Sequence, residues 1–191
     1  LVSLTEGHPE FKPFRELEDR VTSMEGVLFV IHPKDGNVFT SEVLQATEEL
    51  TADAWALPNS TRVDSLTNYQ HTEVDNDDLY VAPLVENSAS LSEAQLAEIR
   101  DIAINEPSLV GRLISAKGHV TAIVATVTMT EGNREAPAIT AAAKELNAEY
   151  AQRYPDIDFM LTGTVVFSQA TQEATDQTMT TTLPLAILAM V

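Results

Sequence analysis

The sequence predicts an α+β fold, a two-layer α/β sandwich assembled from two βαβ units with a helical insertion, and three observations predict it. A strand, helix, strand pattern occurs twice, in the same order and with similar lengths. Each copy opens on a β-branched apolar run, GVLFVIHP from Gly26 and VTAIVATVTM from Val120. Between the copies lies a polar acidic stretch and then a third helical pattern.

In the first copy the continuous apolar run from Gly26 reads as a strand buried on both faces, and KDGN supplies the turn after it. The period then changes. From Ser41 to Leu57 the residues Val43, Thr47, Leu50, Ala54 and Leu57 recur at helical steps, with Glu42 in the first turn complementing the helix dipole. Pro58 and Asn59 stop this amphipathic helix, and STRVDSLTNY returns to the two-residue alternation of a strand through Val63 and Leu66.

The connecting region HTEVDNDDLYVAPLVENSASLSEAQLAEIRDIAINEP reads as an acidic loop followed by a helix. Ser90 and Glu93 stand at capping-box spacing, where hydroxyl and carboxylate each satisfy an orphan backbone N–H. Leu96, Ile99 and Ala103 form the buried stripe, and Asn105 with Pro107 ends it. SLVGRLIS, Ser108 to Ser115, reads as a strand joined through the hairpin-like AKGH to the second copy. There, Val120 to Met129 is a strand, EGNREAP punctuates, and Ile139, Ala143, Leu146 and Tyr150 place a stripe on a helix from about Glu135 to Arg153. YPDIDFMLTGT returns to a strand after Pro155. Because each helix must cross back over a sheet to join its two strands, a ferredoxin-like character follows. The chain divides into a lead-in over 1–25, a first βαβ unit over 26–70, a connecting insertion with a helix over 71–107, a second β-rich βαβ unit over 108–167 and a helix over 168–191.

Composition narrows the function classes. At 191 residues, 44% hydrophobic and 21% charged, the chain has the apolar material for a core. Its 11 basic and 29 acidic residues give a formal charge of -18, which repels phosphate backbones and argues against a nucleic-acid partner. With no cysteine, neither a disulfide nor a thiolate metal site can form.

Motifs for catalysis are weak. His8, His32, His71 and His119 sit in four different segments, none at the short spacing of a zinc site, and read as surface or strand-end residues. DNDD, Asp75 to Asp78, lacks the central Gly and distal Glu of a calcium loop and reads as a solvated acidic loop. There is no GxSxG elbow, and GRLISAKGH lacks the spacing and the Lys-Ser/Thr pair of a phosphate loop. Asp156 and Asp158 lie where a helix-to-strand turn takes polar residues. No catalytic, cofactor-binding or metal-ligating residue is assigned, and the chain reads as a non-enzyme without a cofactor.

The last ten residues, TLPLAILAMV, change character abruptly. Polar residues persist to Thr182 and then vanish, whereas a soluble amphipathic helix keeps polar positions every turn. Leu183 to Val191 is about half of the roughly 20 residues that cross a bilayer. The run reads either as a buried terminal element or as the first turns of a membrane helix.

HPEFKPFRELEDR, VLFVIHPKDGNVFTSEVLQATEELTADAWALPNSTRVDSLTNYQHT, NEPSLVGRLIS, YPDIDFMLTGTVVFSQA and TTTLPLAILAMV resemble, in that order, the extracytoplasmic loop after the first membrane helix in RND-superfamily exporters, nearest the MMPL-type or hydrophobe-exporter branch. The resemblance implies a porter-type domain on the periplasmic side of the inner membrane, with 1–25 following one membrane helix and 168–191 leading into another. It implies passage of hydrophobic or lipid-like small molecules, coupling to proton flow through residues outside this chain, and partnership with the membrane-embedded remainder of the polypeptide, with self-association of the full-length protein left open. Trp55, Phe159 and Phe167 are candidates for an apolar cleft, with core packing as their alternative role. The rival reading is a ligand-sensing or protein-docking ectodomain that does not itself transport.

Overall fold

A computed structural model describes residues 26–75, 78–129 and 134–171. It shows a mixed α+β structure built on a four-stranded antiparallel sheet. Strand β1 (Gly26–Pro33) lies in the sheet interior, flanked by β5 (Thr121–Val127) on one side and β6 (Ile157–Thr162) on the other; β2 (Ser60–Asp64) pairs with the far edge of β5. Each pairing is antiparallel, and Phe29 stands opposite both Ile123 and Leu161. A strand with neighbours on both edges and cover on both faces has no solvated side, which is why β1 reads as an unbroken apolar run although its neighbours are antiparallel.

Helix α1 (Ser41–Ala54) joins β1 to β2, and α3 (Ala136–Arg153) joins β5 to β6. Each passes over one intervening strand, so the two strands it joins run parallel without touching. Both helices pack against the sheet and against each other, an arrangement compatible with two layers. At its start, Thr40 Oγ1 accepts from Val43 N at 3.2 Å and caps α1. The Thr47 and Thr51 hydroxyls, buried on its inner face, donate to the carbonyls of Val43 and Thr47, so neither enters the core unpaired. Leu57, expected on the last turn of this helix, is buried from the turn that follows Ala54.

Three expectations are corrected. The acidic loop is a hairpin: β3 (Gln70–Asp75) and β4 (Asp78–Pro83) pair from Gln70↔Pro83 to Asp75↔Asp78. Its backbone is satisfied by the ladder while Thr72, Leu79 and Val81 stay exposed, so burial left little pattern to read. The capping box belongs to Ser92 and Gln95 at the head of α2 (Glu93–Asn105), with Ser92 N donating to Gln95 Oε1 at 2.9 Å; Ser90 instead ends a 3₁₀ turn and its hydroxyl donates to Asn87 O. Ser108 to Ser115 is not a strand but a run of turns, because the N–H groups of Leu109, Val110, Leu113 and Ile114 bond locally to the carbonyls of Glu106 and Leu109. One isolated bridge lies within the segment, Val110 with Ile114, and another joins it to β5, Ile114 with Thr121, beside the bond from Ala122 N to Leu113 O.

After β6 the chain turns at Gly163 and is helical over 164–171, four residues before the helix expected from 168. Among the described residues, no helix is long and apolar enough to cross a membrane. The expectations for 1–25 and for Leu183 to Val191 lie outside the described residues.

Candidate functional site

The three cleft candidates occupy unlike settings. Phe159, on β6, is buried, with its ring 6.0 Å from that of Tyr150 and 6.4 Å from that of Tyr154, an aromatic cluster under α3. Trp55 is the C-terminal cap residue of α1 and is 50% exposed; Phe167, on the helix over 164–171, is 74% exposed. Sequence alone does not distinguish these roles, since an aromatic at an element end serves equally as core or surface.

A concave site lies elsewhere, between the β3–β4 hairpin and α2. The ladder puts His71 opposite Ala82, and residues opposite or two apart share a face, so His71, Ala82 and Tyr80 look the same way. On the helix side Gln95, Glu98, Ile99 and Ile102 follow i, i+3, i+4, i+7 and form one stripe. Together with Leu84 and Leu91 these side chains line a groove of about 210 Å³. Leu84 and Ile99 are buried in its floor, while Glu86 and Glu98 are exposed on its rim, and no Lys or Arg lines it. Sequence reasoning missed this site because it took half of it for a loop; the Tyr80, Ala82, Leu84 alternation facing a helical stripe was the available signal.

A second polar constellation ties α1 to α3. The Tyr150 hydroxyl donates to Asp53 Oδ2 at 2.8 Å and the Tyr154 hydroxyl donates to Glu49 Oε2 at 2.9 Å. Arg153 bridges Glu49 at 3.1 Å and Glu149 at 2.6 Å, its guanidinium 4.9 Å from the Tyr150 ring centroid. Burial and the Asp53 carboxylate push the Tyr150 hydroxyl up, and burial with Glu49 pushes Tyr154 up to about 12. Partial burial alone would raise Glu49, but hydrogen bonds from Gln45, Tyr154 and Arg153 and the Arg153 charge outweigh it and hold the carboxyl below 4.5. A depressed carboxyl pKa stabilises the fold above its unfolded value and loses that contribution as pH falls through the folded one. Glu49→Gln is therefore expected to flatten the loss of thermal stability below pH 4.5 relative to wild type. Parallel acid limbs in scans from pH 7 to pH 3 would rule this out.

These groups fasten α1 and α3 to each other. Glu106, half-buried, accepts from the Ser108 N–H and hydroxyl, bonds that lower its proton affinity and close a turn. His32 Nδ1 lies 3.7 Å from Asp158 at a strand end, and His8 is outside the described residues. Asp75 and Asp78 flank the hairpin tip, whose two central residues are not described. Among the described residues, no group of three or more His, Asp or Glu side chains is placed to hold a metal ion. No protein-family model, no curated protein and no solved structure matches the chain, so its own residues and geometry carry the functional argument.

Proposed function

We propose that the chain is the extracytoplasmic porter-type domain of a proton-driven RND-superfamily exporter of the MMPL or hydrophobe-exporter kind, which takes part in binding or gating the passage of hydrophobic or lipid-like molecules. The observation that carries the reading is the sheet order β2-β5-β1-β6 with each helix passing over one strand. That order supports a ferredoxin-like reading of the fold, split by the 65–120 segment between β2 and β5 that holds the hairpin and α2. It agrees with the resemblance drawn from the sequence, which expects two βαβ units and an insertion between them. On this reading the domain stands on the periplasmic side of the inner membrane and its partner is the membrane-embedded remainder of the same polypeptide. It performs no bond chemistry, and the residues that couple transport to protons lie outside these 191 residues.

A second reading, a ligand-sensing ectodomain, is favoured by the groove beside the hairpin, which sits on the insertion rather than on the βαβ units. Transport by the full-length polypeptide in reconstituted vesicles separates the two. An exporter moves a fluorescent lipid-like cargo when a proton gradient is imposed; a sensor binds ligand and moves nothing.

A further inference from the structure

The groove between the β3–β4 hairpin and α2 has a chemistry of its own. Its floor is apolar, with Leu84 and Ile99 buried and Ile102 half-buried. Tyr80 stands in its wall and is 61% exposed, so the residue is accessible to a ligand. Glu86 and Glu98 stand on its rim, and among the described residues neither has a hydrogen-bond or ion-pair partner. No Lys or Arg lines the groove, whose one imidazole is that of His71, and the chain carries a formal charge of -18.

We propose that this groove binds a small lipophilic ammonium ion, its hydrocarbon part on Leu84, Ile99 and Ile102 and its cationic head between the Tyr80 ring and the carboxylates of Glu86 and Glu98. Each part of the ligand answers one observation. The floor rewards removal of hydrocarbon from water. An aromatic face attracts a quaternary ammonium through its quadrupole, and an alkyl-substituted cation loses less hydration on entry than a bare ammonium. Two carboxylates without a cation of their own supply the charge, and they exclude an anionic amphiphile of the same length by repulsion. A volume of about 210 Å³ sets the size, below that of drug-sized pockets and suited to a short chain. The inference does not rest on transport, since a sensor and an exporter would use such a site alike.

The test is a titration of the ¹⁵N-labelled 191-residue chain, followed by amide chemical shifts, with hexyltrimethylammonium chloride, hexanol and sodium hexanoate as probes. The expected result is saturable shifts at Tyr80, Ala82, Glu98 and Ile99 with the ammonium, and binding roughly tenfold weaker or more for hexanol and hexanoate. Glu86→Gln with Glu98→Gln, both on exposed side chains and so harmless to folding, should weaken ammonium binding roughly tenfold and leave hexanol unchanged. Added sodium chloride should weaken the wild type and spare the double variant. Equal binding of ammonium and alcohol, or an unaffected double variant, overturns the proposal. So do shifts confined to the apolar stretch from Leu183, and groove shifts that follow protein concentration instead of probe, which would make a second copy of the chain the occupant.

Discussion

Gly163→Ala is expected to cost about 3 kcal/mol or more, a large share of the roughly 5–15 kcal/mol by which domains are ordinarily stable. Gly163 has φ +114, a conformation L side chains rarely adopt, and a Cβ there would overlap the carbonyl oxygen of Gly26 and stand 3.1 Å from Leu28 N and Val27 Cα. All three neighbours are backbone of β1, which is held in register by β5 and β6, so no rotamer change relieves the contact. The same corner is tight on its other side, since a Cβ on Gly26 would lie 2.6 Å from Ala125 O. Gly36→Ala is the control. Its φ of +71 is also left-handed, but its Cβ would meet nothing nearer than 3.9 Å, so only about 1 kcal/mol is expected. Urea unfolding of both variants decides the matter: equal costs would mean that the close approach of backbones at the end of β6 contributes nothing.

Tyr150→Ala should cost about 3–5 kcal/mol, and Tyr150→Phe only about 0.5–1.5 kcal/mol. Tyr150 is the largest fully buried side chain among the described residues, stacked 6.1 Å from Tyr154 and edge-on to Phe159. Truncation to Ala removes the ring and leaves a cavity beneath α3, whereas Phe keeps the packing and loses only the bond to Asp53. Asp53 is exposed and recovers its partner from water, which keeps the second cost small. Denaturant midpoints for the pair measure the split. A Phe variant as unstable as the Ala variant would assign the helix pairing to the hydrogen bond instead of the aromatic cluster.

Legibility in the sequence followed burial. β1 was readable because a central strand covered on both faces must be apolar throughout, and α1 because Val43, Thr47, Leu50 and Ala54 all reach the core. The sheet order was only partly readable: two βαβ units imply crossovers, but which strand lies between the joined pair depends on long-range pairing that no local pattern encodes. The hairpin left little trace because Leu79 and Val81 are exposed where a half-buried strand would alternate. SASLSEAQ holds two overlapping capping-box spacings, and the choice fell to Ser92 once Ser90 was engaged by Asn87 O. Similarly, Ser108 to Ser115 has strand-like composition, yet local hydrogen bonds to Glu106 and Leu109 won over a ladder. The groove was hidden with the hairpin that forms half of it. Of the aromatic candidates, Phe159 lies in the core cluster, and Trp55 and Phe167 are surface residues of other elements.

The porter reading is tested most directly by the full-length polypeptide in sealed vesicles, where the rate of movement of a lipid-like fluorophore is compared at equal proton gradient with residues 26–162 present and deleted. The account predicts movement that stops when an uncoupler collapses the gradient and that is lost with the sheet domain although the truncated protein still inserts in the membrane. Movement at the same rate without the sheet domain, or none in the intact protein at any gradient, would contradict it.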